Sequence, residues 1–370
     1  MTWAELHTES ERLAIEAQLA LRVRSTEHAI DLYRQAAEIE QRALEQIDVS
    51  KVRTRGITAV SSVALWFKAG VYERAEQLAH LMLADSHIPD FARVDLRDLV
   101  QAIWTESSKK KAGVTFIPGQ VMVSVKGGEV VTGGAPLDLI VDKVQTIQSM
   151  FYRTIEFLNG VSHRREGRPA KELQEACRPW LFQSVPGSYQ FSVAIQKPIQ
   201  PDFFKEDIEP ERIAQHFLEI VSASSGDNTV ELERLVPDET YRSTFLKLVR
   251  NLAPTGKSFD QIELRASGET RPVALGVGSR SNINQQLRNK SALPTKAEAV
   301  QEELRGTLRA LHLDKDWLDI VVDGVSMHID GLQDAVDDVI GPMVNRSVIV
   351  RVVRTSKKNK YKFVDIELAD

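Results

Sequence analysis

The chain has no proline before Pro89, and the segment from Trp3 to Trp104 is rich in Ala, Leu, Glu, Gln and Arg. These residue types lose little side-chain freedom in a helix, whereas proline breaks one, so the segment is predicted to be helical. Apolar and small residues recur in it at the helical period. They are Ala29, Tyr33, Ala36 and Ala37 in one stretch, and Leu65, Ala69, Tyr72, Ala75, Ala79 and Leu83 in another. We therefore expect several helices that each bury one stripe.

Small residues in this segment stand where paired helices would touch. The stretch AGVYERAEQLAHLML, with Gly70, Tyr72, Ala75 and Ala79, resembles the turn and second helix of a tetratricopeptide repeat, and HAIDLYRQAAEIEQRAL resembles a second such helix. The resemblance covers about residues 10–90 and implies stacked helix pairs with a concave groove for a protein partner. An ordinary helical bundle with Ala-rich contacts is the alternative.

The hydrophobic period changes after the polar, basic stretch at 107–113, which is the predicted boundary between a helical region, 1–106, and a middle domain, 113–290. Val121, Val123 and Val125 then alternate with other residues, and Gly127-Gly128 suits a tight turn, so a β-hairpin is predicted. Periodicity further predicts helices and strands in alternation. The helices are 136–158, 171–177, 209–222, 237–252 and 282–288, and the strands are 188–196 and 259–266.

Beyond a second predicted linker at 291–299, alternating segments predict three strands, a short helix and two further strands. This order of elements, over about residues 300–369, resembles the OB-fold, a five-stranded barrel that often binds oligonucleotides. The predicted fold class is thus α+β. It comprises an all-α, repeat-like N-terminal region, a mixed α/β middle domain and a small five-stranded OB-like β-barrel at 300–370.

Composition narrows the classes of function. The net charge is -5 with 47 basic and 52 acidic residues, so no global field attracts a polyanion. The only cysteine, Cys177, excludes an intramolecular disulfide framework and a multi-thiolate metal cage. No basic and apolar leader opens the sequence, and no apolar run is long enough to span a bilayer. We expect a cytoplasmic protein with no membrane association.

No catalytic or metal site is expected from the spacing of reactive residues, and no cofactor is implied. Residues 253–258, APTGKS, look like a phosphate-binding loop, but the position of its first glycine is Asn251 and the loop precedes a strand. The histidines show no spacing of four residues that would suit a metal. Cys177 is expected to be a small buried residue rather than a nucleophile.

The strongest candidate binding residues are basic and aromatic side chains in the predicted barrel. They include the connection between its last two strands, and Trp317, expected in the first connection, where a ring could stack on a base. The candidate nucleic-acid-binding residues are Trp317, Arg351, Arg354, Lys357, Lys358, Lys360, Tyr361 and Lys362. Acidic neighbours favour the alternative, a charged tip that keeps the strand edge from pairing with other chains.

A second candidate is the connection after the predicted helix 136–158. His163, Arg164, Arg165 and Arg168 could together clamp a phosphate or an acidic peptide, because guanidinium groups bind such anions through paired hydrogen bonds. A solvated basic loop is the alternative. The two readings differ in whether these side chains are free.

The leading hypothesis is a non-enzymatic interaction protein, an adaptor or regulator. Its N-terminal helices would bind a protein partner and its barrel a second target. The alternatives are a nucleic-acid-binding protein that uses the barrel, and an enzyme such as a nuclease whose active site is assembled from distant residues.

Overall fold

The computed structural model describes residues 2–23, 25–131, 133–182, 189–200, 203–205, 208–226, 229–266, 272–291, 300–332, 336–355 and 360–369. The chain divides into two compact units, the first ending at Val114 and the second beginning at Thr115. Helices dominate the first unit and two sheets the second, so the predicted α+β class is confirmed. Within the described residues, no helix is both long and apolar enough to cross a membrane.

The first unit consists of consecutive helices. They are Trp3–Arg22 (α1), Thr26–Glu45 (α2), Val52–Lys68 (α3), Tyr72–Ala84 (α4) and Asp90–Lys111 (α5). Thr2 caps α1 because its hydroxyl accepts from the Glu5 amide while the Glu5 carboxylate accepts from the Thr2 amide. Each helix packs on the next, and α5 packs on both α3 and α4. The basic stretch predicted as a boundary belongs largely to the end of α5.

Tryptophan side chains link successive helices of this unit. Each indole N–H donates to a polar side chain of another helix, which satisfies the donor at the border of an apolar interface. The bonds run from Trp3 to Thr58 (3.3 Å), from Trp66 to Gln41 (3.0 Å) and from Trp104 to Glu76 (2.6 Å). The arrangement agrees with the predicted all-α, repeat-like region.

The first part of the second unit is a five-stranded sheet covered by helices. Its strand order is β2-β3-β1-β4-β5, and β1 pairs antiparallel with β3 and β4. The strands are Val121–Lys126 (β1), Pro179–Phe182 (β2), Tyr189–Ile195 (β3), Gln261–Ala266 (β4) and Val273–Gly276 (β5). The helices are Leu137–Leu158 (α6), Lys171–Ala176 (α7), Ile213–Ser225 (α8), Thr229–Leu235 (α9), Glu239–Leu252 (α10) and Val277–Ser291 (α11).

The predicted hairpin after β1 is wrong. Gly127 and Gly128 have positive φ values of 76° and 62°, as a turn requires. The chain then runs beside the segment before β4, where the Glu129 amide donates to the Ser258 carbonyl at 2.9 Å. Because β3 and β4 already occupy both edges of β1, the segment after the turn cannot pair with it.

The second part of this unit is a β-barrel. Each of its five strands pairs with two others in the closed order β10-β8-β7-β6-β9, and the β8–β10 pair is parallel. The strands are Val300–His312 (β6), Trp317–Val322 (β7), Val325–Asp330 (β8), Ser347–Thr355 (β9) and Lys360–Leu368 (β10). Two short helical turns, Val336–Ile340 and Gly341–Met343, separate β8 from β9. The predicted OB-like barrel is therefore confirmed.

Candidate functional site

The outer face of β7 and β8 carries a group of polar and aromatic side chains. Leu318 and Ile320 point into the barrel core and are fully buried, so their neighbours Trp317 and Asp319 point outward. Strand pairing places Trp317 opposite Asp330 and Asp319 opposite His328. We call the outward group His312, Trp317, Asp319, His328 and Asp330 the Trp317 surface.

Trp317 lies between two histidine rings on this surface. Its ring centroid is 5.4 Å from that of His312, its direct partner on β6, and 5.0 Å from that of His328 on β8. The ring is half-buried, and the His328 side chain is 53% exposed. Trp317 is thus the first residue of β7 and not part of the preceding connection, where it was expected. The three rings together form an aromatic platform on the outside of the barrel.

Carboxylates hold His328 in place. Its Nδ1 lies 2.6 Å from Asp319 Oδ1, and its Nε2 lies 3.2 Å from Asp330 Oδ1. Asp330 also lies 3.8 Å from Nζ of Lys360, the first residue of β10. Both acids of the Trp317 surface are therefore engaged by basic groups of the barrel, which limits their repulsion of an approaching anion.

The candidate lysines stand beside this surface. Lys360 and Lys362 are both exposed, and they point to the same side of β10 because they are two residues apart in a strand. Lys362 pairs in register with Asp330 of β8. Tyr361 between them is half-buried against the core. Lys357 and Lys358 lie outside the described residues.

The two candidate arginines are on β9 and bind acids of the same barrel. Arg351 forms an ion pair with Asp365, and its side chain is largely buried. Arg354 lies 3.5 Å from Glu302 on β6. β9 pairs with β6 and β10 and not with β7 or β8, so these arginines do not join the Trp317 surface.

The basic loop after α6 contacts the barrel instead of solvent. Arg164 donates to Glu156 at 3.1 Å and to Asp338 at 3.3 Å. Arg165 forms an ion pair with Asp316 and donates to the Leu332 carbonyl at 3.0 Å. These guanidinium groups therefore tie α6 and its loop to the barrel.

The remaining members of the predicted clamp lie apart. His163 Nε2 is 2.9 Å from Thr244 Oγ1 in α10, and its ring packs edge-on against Tyr241. Arg168 is exposed. The structure thus brings Arg164 and Arg165 to carboxylates of their own chain, His163 to α10, and leaves Arg168 at the surface.

A buried arginine that sequence reasoning missed completes this junction. Arg153 in α6 is fully buried, and its Nε donates to Asp338 at 2.6 Å, while Glu156 lies 3.6 Å from its Nη1. An arginine within an amphipathic helix gives no local sign of burial, because its acidic partner comes from the distant turn between β8 and β9. The group ties the unit's two parts together.

Other reactive side chains are isolated. Cys177 is fully buried, and this burial raises the pKa of its thiol to about 12, so the thiolate nucleophile is scarce near neutral pH. Burial also lowers the pKa of His216 against the opposing effect of Glu219. In the part of the chain that the structure describes, no three His, Cys, Asp or Glu side chains converge as metal ligands would.

Comparison with known proteins adds no relative. No protein-family profile, curated protein or solved structure matches this chain.

Proposed function

We propose that this protein is a non-enzymatic interaction protein of the cytoplasm, an adaptor or regulator with two binding surfaces. Its helical unit binds a protein partner, and its barrel binds a second target through the Trp317 surface. The observation that carries the proposal is the aromatic platform of Trp317 with its two histidines on the outside of the barrel. Such a surface supplies rigid, amphipathic contact area.

The helical unit supports a protein-binding role through the outward side of α3. Arg53, Ile57, Ser61, Ala64 and Lys68 follow one another at intervals of three or four residues and therefore share one face. The Ile57 side chain in this row is 47% exposed. Stacked helix pairs present such rows as an extended binding surface.

Affinity purification of the full chain tests this role. We expect the variant Ile57→Glu to lose a specific protein that the wild type recovers, because a charge on this row opposes apolar contact. Leu81→Glu is the matched control, since Leu81 on α4 is also exposed, at 63%, and is outside the row. Equal recovery of the same proteins by both variants would contradict binding through α3.

Single-stranded nucleic acid is the second target that the Trp317 surface favours. Bases stack on exposed aromatic rings regardless of sequence, and amino groups beside the rings bind phosphates. Here Lys360 and Lys362 lie next to the platform, and Lys315 lies exposed in the connection between β6 and β7. The β7–β8 face is also where OB-folds bind oligonucleotides.

Fluorescence anisotropy with labelled single-stranded DNA and RNA at low salt tests this target. Replacing Trp317 by Ala should weaken binding by roughly 5- to 150-fold, because stacking of one base is worth about 1–3 kcal/mol. Trp317→Phe keeps an aromatic face and should retain most of the affinity. Nucleic acid is ruled out as the target if the wild type does not bind, or if Trp317→Ala binds as tightly as Trp317→Phe.

A further inference from the structure

A polar cavity of about 310 Å³ lies in the second unit, where the start of α6 and the connection from α10 to β4 meet the barrel. Its lining includes both charges and hydroxyl groups. The residues that bear on the argument are Asp138, Asp142, Lys143, Asn251, Thr255 and Arg346. The cavity is large enough for a small metabolite.

Asn251 carries a hydrogen-bonding group that the protein leaves unsatisfied. The residue is 7% exposed, and its side-chain Oδ1 is buried without a hydrogen-bond partner among the described residues. Its backbone carbonyl, by contrast, accepts from Lys143 Nζ at 2.7 Å. An unpaired buried acceptor costs about 1–3 kcal/mol, so a ligand that donates a hydrogen bond here would be favoured.

The charges around the cavity are unevenly paired. Lys143 and Arg346 share one carboxylate, since Asp142 lies 3.2 Å from the Lys143 Nζ and 2.9 Å from the Arg346 Nη1. One positive charge therefore remains in excess on this side. Arg280, also in the lining, is matched by Glu367 at 3.1 Å. Asp138 is exposed and has no ion-pair partner among the described residues, so one negative charge also remains.

We propose that this cavity binds a small zwitterion with the chemistry of a free amino acid. The ligand's carboxylate pairs with Arg346 and Lys143, which have the excess positive charge. Its ammonium group donates to Asn251 Oδ1 and lies near Asp138. The Thr255 hydroxyl completes the polar lining. A dianion such as a nucleotide phosphate is disfavoured, because Asp138 would repel it.

The position of the cavity gives binding a structural consequence. Arg346 precedes the barrel strand β9, whereas Lys143 and Asn251 belong to α6 and α10. A zwitterion that contacts all three residues would brace the barrel against the helices that cover the sheet. Since a ligand that binds only the folded state stabilises it, the amino acid should also raise the melting temperature.

Isothermal titration calorimetry of the full chain with each common L-amino acid tests the proposal. At least one should bind, and its affinity should fall roughly tenfold or more in Arg346→Gln, since hydrogen bonds to charged groups are worth about 1.5–3 kcal/mol. Arg309→Gln, an equal charge change at an exposed position on β6, should leave affinity unchanged. Propionate, ethylamine and inorganic phosphate serve as probes that carry only one kind of charge.

Three results would overturn the proposal. They are the absence of binding by any amino acid, equal affinity in Arg346→Gln and Arg309→Gln, and binding of propionate or phosphate as tight as that of the amino acid. The variant Asn251→Leu, similar in size but unable to accept a hydrogen bond, should weaken binding as well. If it fails to fold, Arg346→Gln still decides, because the Arg346 side chain is 39% exposed and contributes little to the core.

Discussion

Arg250 of α10 and Asp365 of β10 form a buried two-point salt bridge, with Nη1 2.5 Å from Oδ2 and Nη2 3.0 Å from Oδ1. Their side chains are 0% and 5% exposed. Arg250 also donates to the Ile366 carbonyl at 2.6 Å, and Arg351 is a second partner of the carboxylate. A barrel strand and a helix of the neighbouring α+β part are thereby held together through hydrogen bonds and charge.

Breaking this bridge should cost more than breaking a surface pair. Asp365→Asn leaves the buried Arg250 without its counter-charge, and we expect the free energy of unfolding to fall by about 3–5 kcal/mol. Urea denaturation followed by circular dichroism measures the change. Arg354→Gln removes an exposed pair with Glu302 and should cost less than about 1 kcal/mol. Equal losses in the two variants would show that the buried bridge is not important for stability.

The same carboxylate predicts a dependence of stability on pH. Burial raises the pKa of Asp365, but the charge of Arg250 outweighs it and lowers the pKa from 3.8 to about 2. Because the pKa is lower in the folded than in the unfolded state, the contribution is complete above about pH 5 and is lost as the pH falls to about 2.

The wild type should therefore lose roughly 2 kcal/mol relative to Asp365→Asn across this range. Urea denaturation of both proteins at a series of pH values measures the difference. A constant difference between them would mean that Asp365 does not titrate with a lowered pKa.

Gly56 in α3 should resist replacement although it lies within a helix. A Cβ there would lie 2.7 Å from Pro89 Cγ and 3.1 Å from Ala92 Cβ, so α5 would have to move. Overpacking costs about 1–3 kcal/mol, which exceeds the 0.5–1 kcal/mol that Ala gains over Gly in a helix. Gly56→Ala should lower the midpoint of thermal unfolding measured by circular dichroism.

The control for this prediction is Gly278→Ala in α11, where nothing lies within 4 Å of the added methyl group. This variant should be as stable as the wild type or slightly more stable. If Gly56→Ala were also stabilising, the close approach of α3 and α5 would not be tight in solution.

The lysines beside the Trp317 surface predict a salt dependence of nucleic-acid binding. Each phosphate contact contributes about -0.7 to the slope of log affinity against log salt for a single strand. Lys360→Gln with Lys362→Gln should thus make the slope shallower by roughly 1.4, and weaken binding at low salt. Lys171→Gln, an exposed lysine on α7, is the control for overall charge. An unchanged slope in the double variant would separate these lysines from the binding site.

Local patterns predicted the longer elements closely. Helix α6 was expected over 136–158 and runs from Leu137 to Leu158, and the order of the barrel strands was anticipated. The short elements β2, β5 and α9 were missed. A strand of four residues has too few alternating positions to give a signal, and it forms only because a neighbour in the sheet supplies its hydrogen bonds.

The candidate sites show the same limit. Trp317 was singled out from the sequence, but His312 and His328, which stack on it, were not. Arg165 was seen as a free cation, whereas its partner Asp316 lies 151 residues further along the chain. Burial and pairing of a side chain depend on which strands and helices become neighbours, and no local pattern records that.

The amino-acid sequence by itself determined the α+β class, the helical front and the order of strands in the barrel, because hydrophobic periodicity acts over neighbouring residues. Only the tertiary structure decided which charges meet. Strand register placed Trp317 between two histidines, and the packing of α10 against β10 joined Arg250 to Asp365. These contacts arise from residues far apart in the chain, so their energies are set by the fold as a whole.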